Sequence, residues 1–121
     1  MKKIKSIDEI INDYDNFIID QWGVMHDGTF GYEHAVNSIN ILNSNNKNLF
    51  IISNSSKRSK SSIDRLPKLG FKKNSFINTV TSGEMIWQLL KKKFLQYKNK
   101  KNCFHIYLSL IHISEPTRPQ C

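Results

Sequence analysis

Three short apolar runs, each stopping on polar residues and separated by stretches with helical spacing, set the architecture open to this chain. They are FIID at residues 17–20, LFII at 49–52 and FINTV at 76–80. The first two place apolar residues at successive rather than alternate positions, the pattern of a strand covered on both faces of a parallel sheet. Between them, Ala35, Val36, Ile39 and Leu42 recur at helical intervals before the chain gives way to Asn, Ser and Lys. Between the second and third runs, Ile63, Leu66 and Leu69 share a helical face, Gly70 suits the stop, and Pro67 implies a short, broken helix. Thr81-Ser82-Gly83-Glu84 then sets a hydroxyl cap before a helix carrying Ile86, Leu89, Leu90 and Phe94. Residues 103–107 begin another strand, and Ser6-Ile7-Asp8-Glu9 has the form of a capping box that starts a short helix near the N-terminus. Strand, helix, strand, helix is the rhythm of an α/β fold built on a parallel sheet.

Composition narrows the classes of function. With 39% hydrophobic and 23% charged residues among 121, the chain can build a core and is not compositionally disordered. No apolar run approaches the roughly 18–20 residues that span a bilayer. The opening MKKIKSIDEI lacks an apolar signal core, so it is not a secretory signal. Cys103 and Cys121 have no metal-ligand spacing and read as free thiols in a reducing cytoplasm. The formal net charge of +8 raises a nucleic-acid hypothesis, yet the lysines are scattered apart from residues 57–60 and 91–101. A lysine-rich solvated surface is the simpler reading, and neither a nucleic-acid nor a membrane partner is expected.

In parallel α/β sheets, ligands bind at the carboxyl ends of the strands. Asp20 and Ser53 each end an apolar run, and one helical crossover joins the two runs. A carboxylate, a hydroxyl and the backbone N–H groups of the turns that follow suit a phosphate and a metal ion. The alternative is that Asp20 caps a turn and Ser53-Asn54 is an ordinary strand exit.

The segments FIIDQWGVMHDG, LFIISNSS and TVTSGE, in that order, resemble motifs of the haloacid dehalogenase-like (HAD) hydrolases. They are similar to the class IIA group, in a subfamily marked by D-x-W-G-V-x-H-D-G. The resemblance spans about residues 6–107 and implies a Rossmann-like core. It implies that Asp20 is the nucleophile, attacking a phosphate ester of a small metabolite to form an aspartyl-phosphate. It implies Mg²⁺ as cofactor, held by Asp20 and the backbone carbonyl of Trp22. Ser53, with Asn54 beside it, matches the hydroxyl that orients the phosphoryl group, and Gly23 lets the backbone turn sharply after the strand.

Most HAD phosphatases carry a second Asp two residues after the nucleophile, as general acid and base. Here that position is Trp22, whose indole N–H does not exchange a proton at neutral pH. His26 and Asp27 are the nearest substitutes, either for proton transfer or as parts of a gate beside the site. The family's third and fourth motifs lie beyond a cap domain, so the resemblance divides the chain into residues 1–102 of the core and 103–107 at the start of the cap. The tail, LSLIHISEPTRP at residues 108–119, resembles the translation of a transposase adapter from sequencing libraries. On that reading residues 108–121 are not native, and the fragment is expected to be inactive because two donors hold Mg²⁺ weakly. Two other functions compete with the hydrolase: a non-catalytic phosphate-binding or regulatory protein of the same fold, and, more remotely, a basic nucleic-acid-binding module.

Overall fold

A computed structural model describes residues 1–96 and Ile106 of the chain, with side chains described to residue 92. The chain divides into two units, residues 1–87 and 88–121. The first holds a three-stranded parallel sheet in the order β1 (Asn16–Asp20), β2 (Asn48–Ser53), β3 (Asn78–Thr81). Helix α1 (Glu33–Ser44) connects β1 to β2, and α2 (Ser59–Arg65) with a 3-10 turn (Leu66–Leu69) connects β2 to β3. Helix α3 (Ser82–Gln96) follows β3 and runs from the first unit into the second. The expected α/β fold with a parallel sheet is therefore present. The predicted strand at 103–107, the proposed start of the cap and the tail at 108–121 lie outside the described residues, apart from Ile106.

One face of the sheet carries the core. Leu49 and Ile51 from β2, Ile39 and Leu42 from α1, Leu66 and Leu69 from the 3-10 turn, and Met25, Phe71 and Ile11 form one buried cluster. Pro67 stands in the first turn of the 3-10 segment. Its missing N–H cannot bond back along the helix, so α2 stops at Arg65 and the chain tightens instead. Gly70 closes the turn in a left-handed conformation, as its position suggested.

The other face departs from expectation. The doubly apolar runs predict cover on both sides, but Ile18 is 72% exposed and Ile52 54% exposed. Register aligns Ile18 with Phe50 and Ile52 with Val80, so these side chains share the face opposite the core. Two smaller differences concern element ends. β3 begins at Asn78 rather than Phe76, and Phe76 packs against the core from the preceding loop. The N-terminal helix is a single 3-10 turn (Ile7–Glu9). Its Ser6 hydroxyl accepts from Asp8 N–H while Glu9 accepts from Lys5 N–H, so the reciprocal pairing of a capping box is not made.

Candidate active site

Asp20 is the last residue of β1 and is exposed at the carboxyl edge of the sheet. One carboxylate oxygen accepts the N–H of Gln21 at 2.7 Å. The second oxygen has no hydrogen-bond partner among the described residues. Register sets Asp20 beside Ile52, so Ser53, at the same edge, stands one residue further along β2 and alternates to the core side of the pleat. Its side chain is 5% exposed, and Oγ accepts the N–H of Ser55 at 3.2 Å. Asn54 beyond it is exposed.

The loop after β1 is tightly folded. Gln21, Met25 and His26 are 2%, 1% and 0% exposed, whereas Trp22 and Val24 reach solvent. Gly23 (φ +77°) and Gly28 (φ +94°) take the left-handed conformation that lets the loop double back. The N–H of Gly23 donates to the His26 carbonyl at 2.9 Å, and Met25 N–H donates to the Gln21 carbonyl at 2.9 Å. His26 Nδ1 accepts the N–H of Gly28 at 2.9 Å, which places the ring proton on Nε2, an atom that is buried and unpaired. Burial, with Arg65 nearby, holds the imidazole below its usual pKa, while the neighbouring Asp27 charge opposes this. Asp27 Oδ1 accepts the N–H groups of Phe30 and Thr29, each at 2.8 Å, and these bonds hold its carboxyl below the ordinary range.

Trp22 is the keystone of this loop. Its ring meets the His26 ring edge-on, with centroids 4.9 Å apart, and the Arg65 guanidinium lies 5.5 Å from the indole centroid. A Cβ added at Gly28 would come within 2.4 Å of two indole carbons, so only glycine leaves the ring its seat. The Trp22 carbonyl accepts no hydrogen bond among the described residues. Hard oxygen donors of this kind, one from Asp20 and one from a main-chain carbonyl, suit Mg²⁺. No group of three or more His, Cys, Asp or Glu side chains converges on a metal position among the described residues.

The segment after β2 is pinned from the other side. Ser55 Oγ accepts Lys57 N–H at 3.2 Å, Gly83 N–H donates to the Ser55 carbonyl at 3.0 Å, and the Thr81 hydroxyl donates to the Lys57 carbonyl at 2.5 Å. Thr81 Oγ1 also accepts Glu84 N–H at 3.0 Å, the predicted hydroxyl cap of α3. Glu84 takes the Arg58 guanidinium with both oxygens, at 2.7 and 3.2 Å, and Arg58 stacks on Trp87 at 3.6 Å. The sequence reading missed Gln21, Ser62, Arg65, Arg58 and the pairing role of Glu84. Nothing in their spacing marks them, because each partner lies 26 or more residues away.

The fold and this edge define the class: an α/β protein with an acidic residue presented at the carboxyl end of its first parallel strand. A family model described as haloacid dehalogenase-like hydrolase matches residues 17–110. The chain belongs to that family. Among solved structures it is similar to a haloacid dehalogenase-like hydrolase from Brucella suis 1330, with a TM-score of 0.66 and 23% identity. That match covers 74% of this chain and 33% of the Brucella chain, so the sequence spans about a third of that protein's length. Comparison with curated protein sequences gives no match. Among the described residues, no helix is long and apolar enough to cross a membrane.

Proposed function

We propose that this chain supplies the nucleophile-bearing part of a cytoplasmic, Mg²⁺-dependent phosphate-ester hydrolase of class IIA, acting on a small phosphorylated metabolite. The carrying observation is Asp20: exposed at the strand end, with one oxygen fixed by Gln21 N–H and the other open. One carboxylate oxygen attacks phosphorus in line, the ester oxygen leaves with the bonding pair, and water then hydrolyses the aspartyl-phosphate. The remaining Asp20 oxygen and the Trp22 carbonyl are the groups to hold Mg²⁺, which when bound offsets the charge of the phosphate. Ser53 and Asn54, at the end of the neighbouring strand, and the Gly23 turn are the groups proposed to meet the phosphoryl oxygens.

His26 and Asp27 already bind backbone amides of their own loop. This supports a part in shaping the gate rather than in proton transfer. With Asp20 and one carbonyl as the proposed donors among the described residues, Mg²⁺ would be held weakly, and the 121-residue chain by itself would turn over little substrate.

Trapping tests the reading. The intact protein, incubated with Mg²⁺ and a labelled phosphate-ester panel and quenched in acid, should carry hydroxylamine-labile label that Asp20→Asn abolishes. Absence of both label and turnover across the panel would sink the enzyme reading. The same result, with Mg²⁺ and phosphate analogues still bound, would favour a non-catalytic phosphate-binding protein, the reading motivated by Trp22 in place of a general acid.

A further inference from the structure

The loop at residues 21–28 is held at both ends by a single helix. At its start, the Ser62 hydroxyl donates to Gln21 Oε1 at 2.7 Å, and both residues are buried. At its end, the Arg65 guanidinium donates to the Gly28 carbonyl while lying over the Trp22 ring. Ser62 and Arg65 are three residues apart on α2 and so share one helical face. Between the two anchor points lie Trp22, with its open carbonyl, and Gly23, whose N–H closes back on His26. Helix α2 also begins six residues after Ser53, on the segment that Glu84 and Gly83 pin to α3.

We propose that Ser62 and Arg65 are positioning residues that clamp both ends of this loop. By doing so they fix the direction of the Trp22 carbonyl beside Asp20 and tie that loop to the one after Ser53. The positioning role rests on the functional reading above, whereas the clamp itself does not. A buried hydroxyl donating to a buried amide oxygen is costly to break, since the acceptor is left unpaired. Arginine suits the other end because its planar group donates along its edge while its face lies over an aromatic ring.

Amide hydrogen exchange by NMR on the 121-residue chain tests the clamp. Gly23 and Gly28 report the loop, and Ile51 in β2 reports global opening. Arg65→Met should speed exchange at Gly28 and Gly23 at least tenfold with Ile51 unchanged. Arg65→Lys, which can still donate to the Gly28 carbonyl, should recover part of the protection. Ser62→Ala should speed Gly23 in the same selective way, and it decides the matter if Arg65→Met unfolds the whole chain. Loop amides that exchange as in the unsubstituted chain, or that change only together with Ile51, overturn the clamp.

A Mg²⁺ titration separates the clamp from the functional reading. An Mg²⁺-induced shift of the Gly23 amide that Asp20→Asn removes supports the metal site, and Arg65→Met should then raise the midpoint at least threefold. An unchanged midpoint overturns the positioning role. If the unsubstituted chain shows no Asp20-dependent shift, the functional reading falls, and the clamp still stands or falls on exchange.

Discussion

Gly28→Ala is the most demanding single change for this loop, because two independent penalties meet at one methyl group. The backbone there has φ +94°, a conformation that costs an L-residue about 1–2 kcal/mol. The new Cβ would also stand 2.4 Å from two carbons of the Trp22 ring. The ring cannot compress, so it must swing out toward solvent. Leaving forfeits the edge-on contact with His26, worth about 0.5–1.5 kcal/mol. It also forfeits the contact beneath Arg65, worth about 0.5–1 kcal/mol. Together these predict a loss of about 2–4.5 kcal/mol. For a domain of this size that lowers Tm on the order of 10–25 °C.

Urea and thermal unfolding followed by circular dichroism measure the loss directly. A double-mutant cycle with Trp22→Ala then separates its parts. Without the ring, Gly28→Ala should cost only the backbone share, about 1–2 kcal/mol. Equal costs in the two backgrounds, or a loss below about 1 kcal/mol in the natural one, would refute the claim that Gly28 exists to seat the indole.

Acid should weaken the fold in two separate steps. His26 is held neutral below its ordinary pKa of 6.5, so the stability it contributes is full above that value and is lost as pH falls to its folded pKa. His26→Asn, which keeps an acceptor for Gly28 N–H, should flatten this step in urea midpoints, and an unaltered profile would refute it. Asp27 contributes above 3.8 and loses its contribution as pH falls through its own depressed value, a step that Asp27→Asn should remove. Gly83→Ala would set a Cβ 2.0 Å from the Ser56 carbonyl oxygen, displacing the loop from α3 at a cost of about 1–3 kcal/mol in urea unfolding. A cost within experimental error would show that this loop yields freely. Ile18→Thr and Ile52→Thr, on the open sheet face, should each change stability by no more than about 0.5 kcal/mol while reducing light scattering. A large loss would mean that the face is covered in solution.

Much of the fold could be read from local pattern, because the decisive signals there are local. The successive apolar residues at 17–20 and 49–52, the helical spacing of Ile39 and Leu42, and Pro67 beside Gly70 each specify their own element within a few residues. Asp20 and Ser53 were visible as strand ends for the same reason. Cover on the second face of the sheet was not legible, since an apolar run states what a strand can bury and not what arrives to bury it. The one-residue stagger between Asp20 and Ser53 depends on register, which two short runs do not fix by themselves. The anchors of the β1 loop were hidden for a third reason. Gln21 meets Ser62 across 41 residues and Gly28 meets Arg65 across 37, distances at which no periodicity carries information.

Trp22 gathers these threads, because its two halves belong to different parts of the problem. A main-chain carbonyl can face a metal whatever side chain it carries, so the proposed metal role would not need an acid at this position. The side chain is then free for another task, and the structure shows one. The indole rests on Gly28, meets His26 at its edge and lies beneath Arg65. Gly28 in turn gives its N–H to His26 Nδ1, which fixes the imidazole inside the loop. Tryptophan, histidine and the second glycine of WGVMHDG are therefore one interlocked unit, in which each makes room for or holds another. An Asp at position 22 would bring a proton carrier but remove the ring that fills the space between Gly28, His26 and Arg65. On the proposed mechanism, this chain has exchanged a proton shuttle for a rigid carbonyl. With His26 and Asp27 committed to the loop's backbone amides, as proposed, the proton for the departing oxygen would come from water, from the substrate or from a group outside residues 21–28.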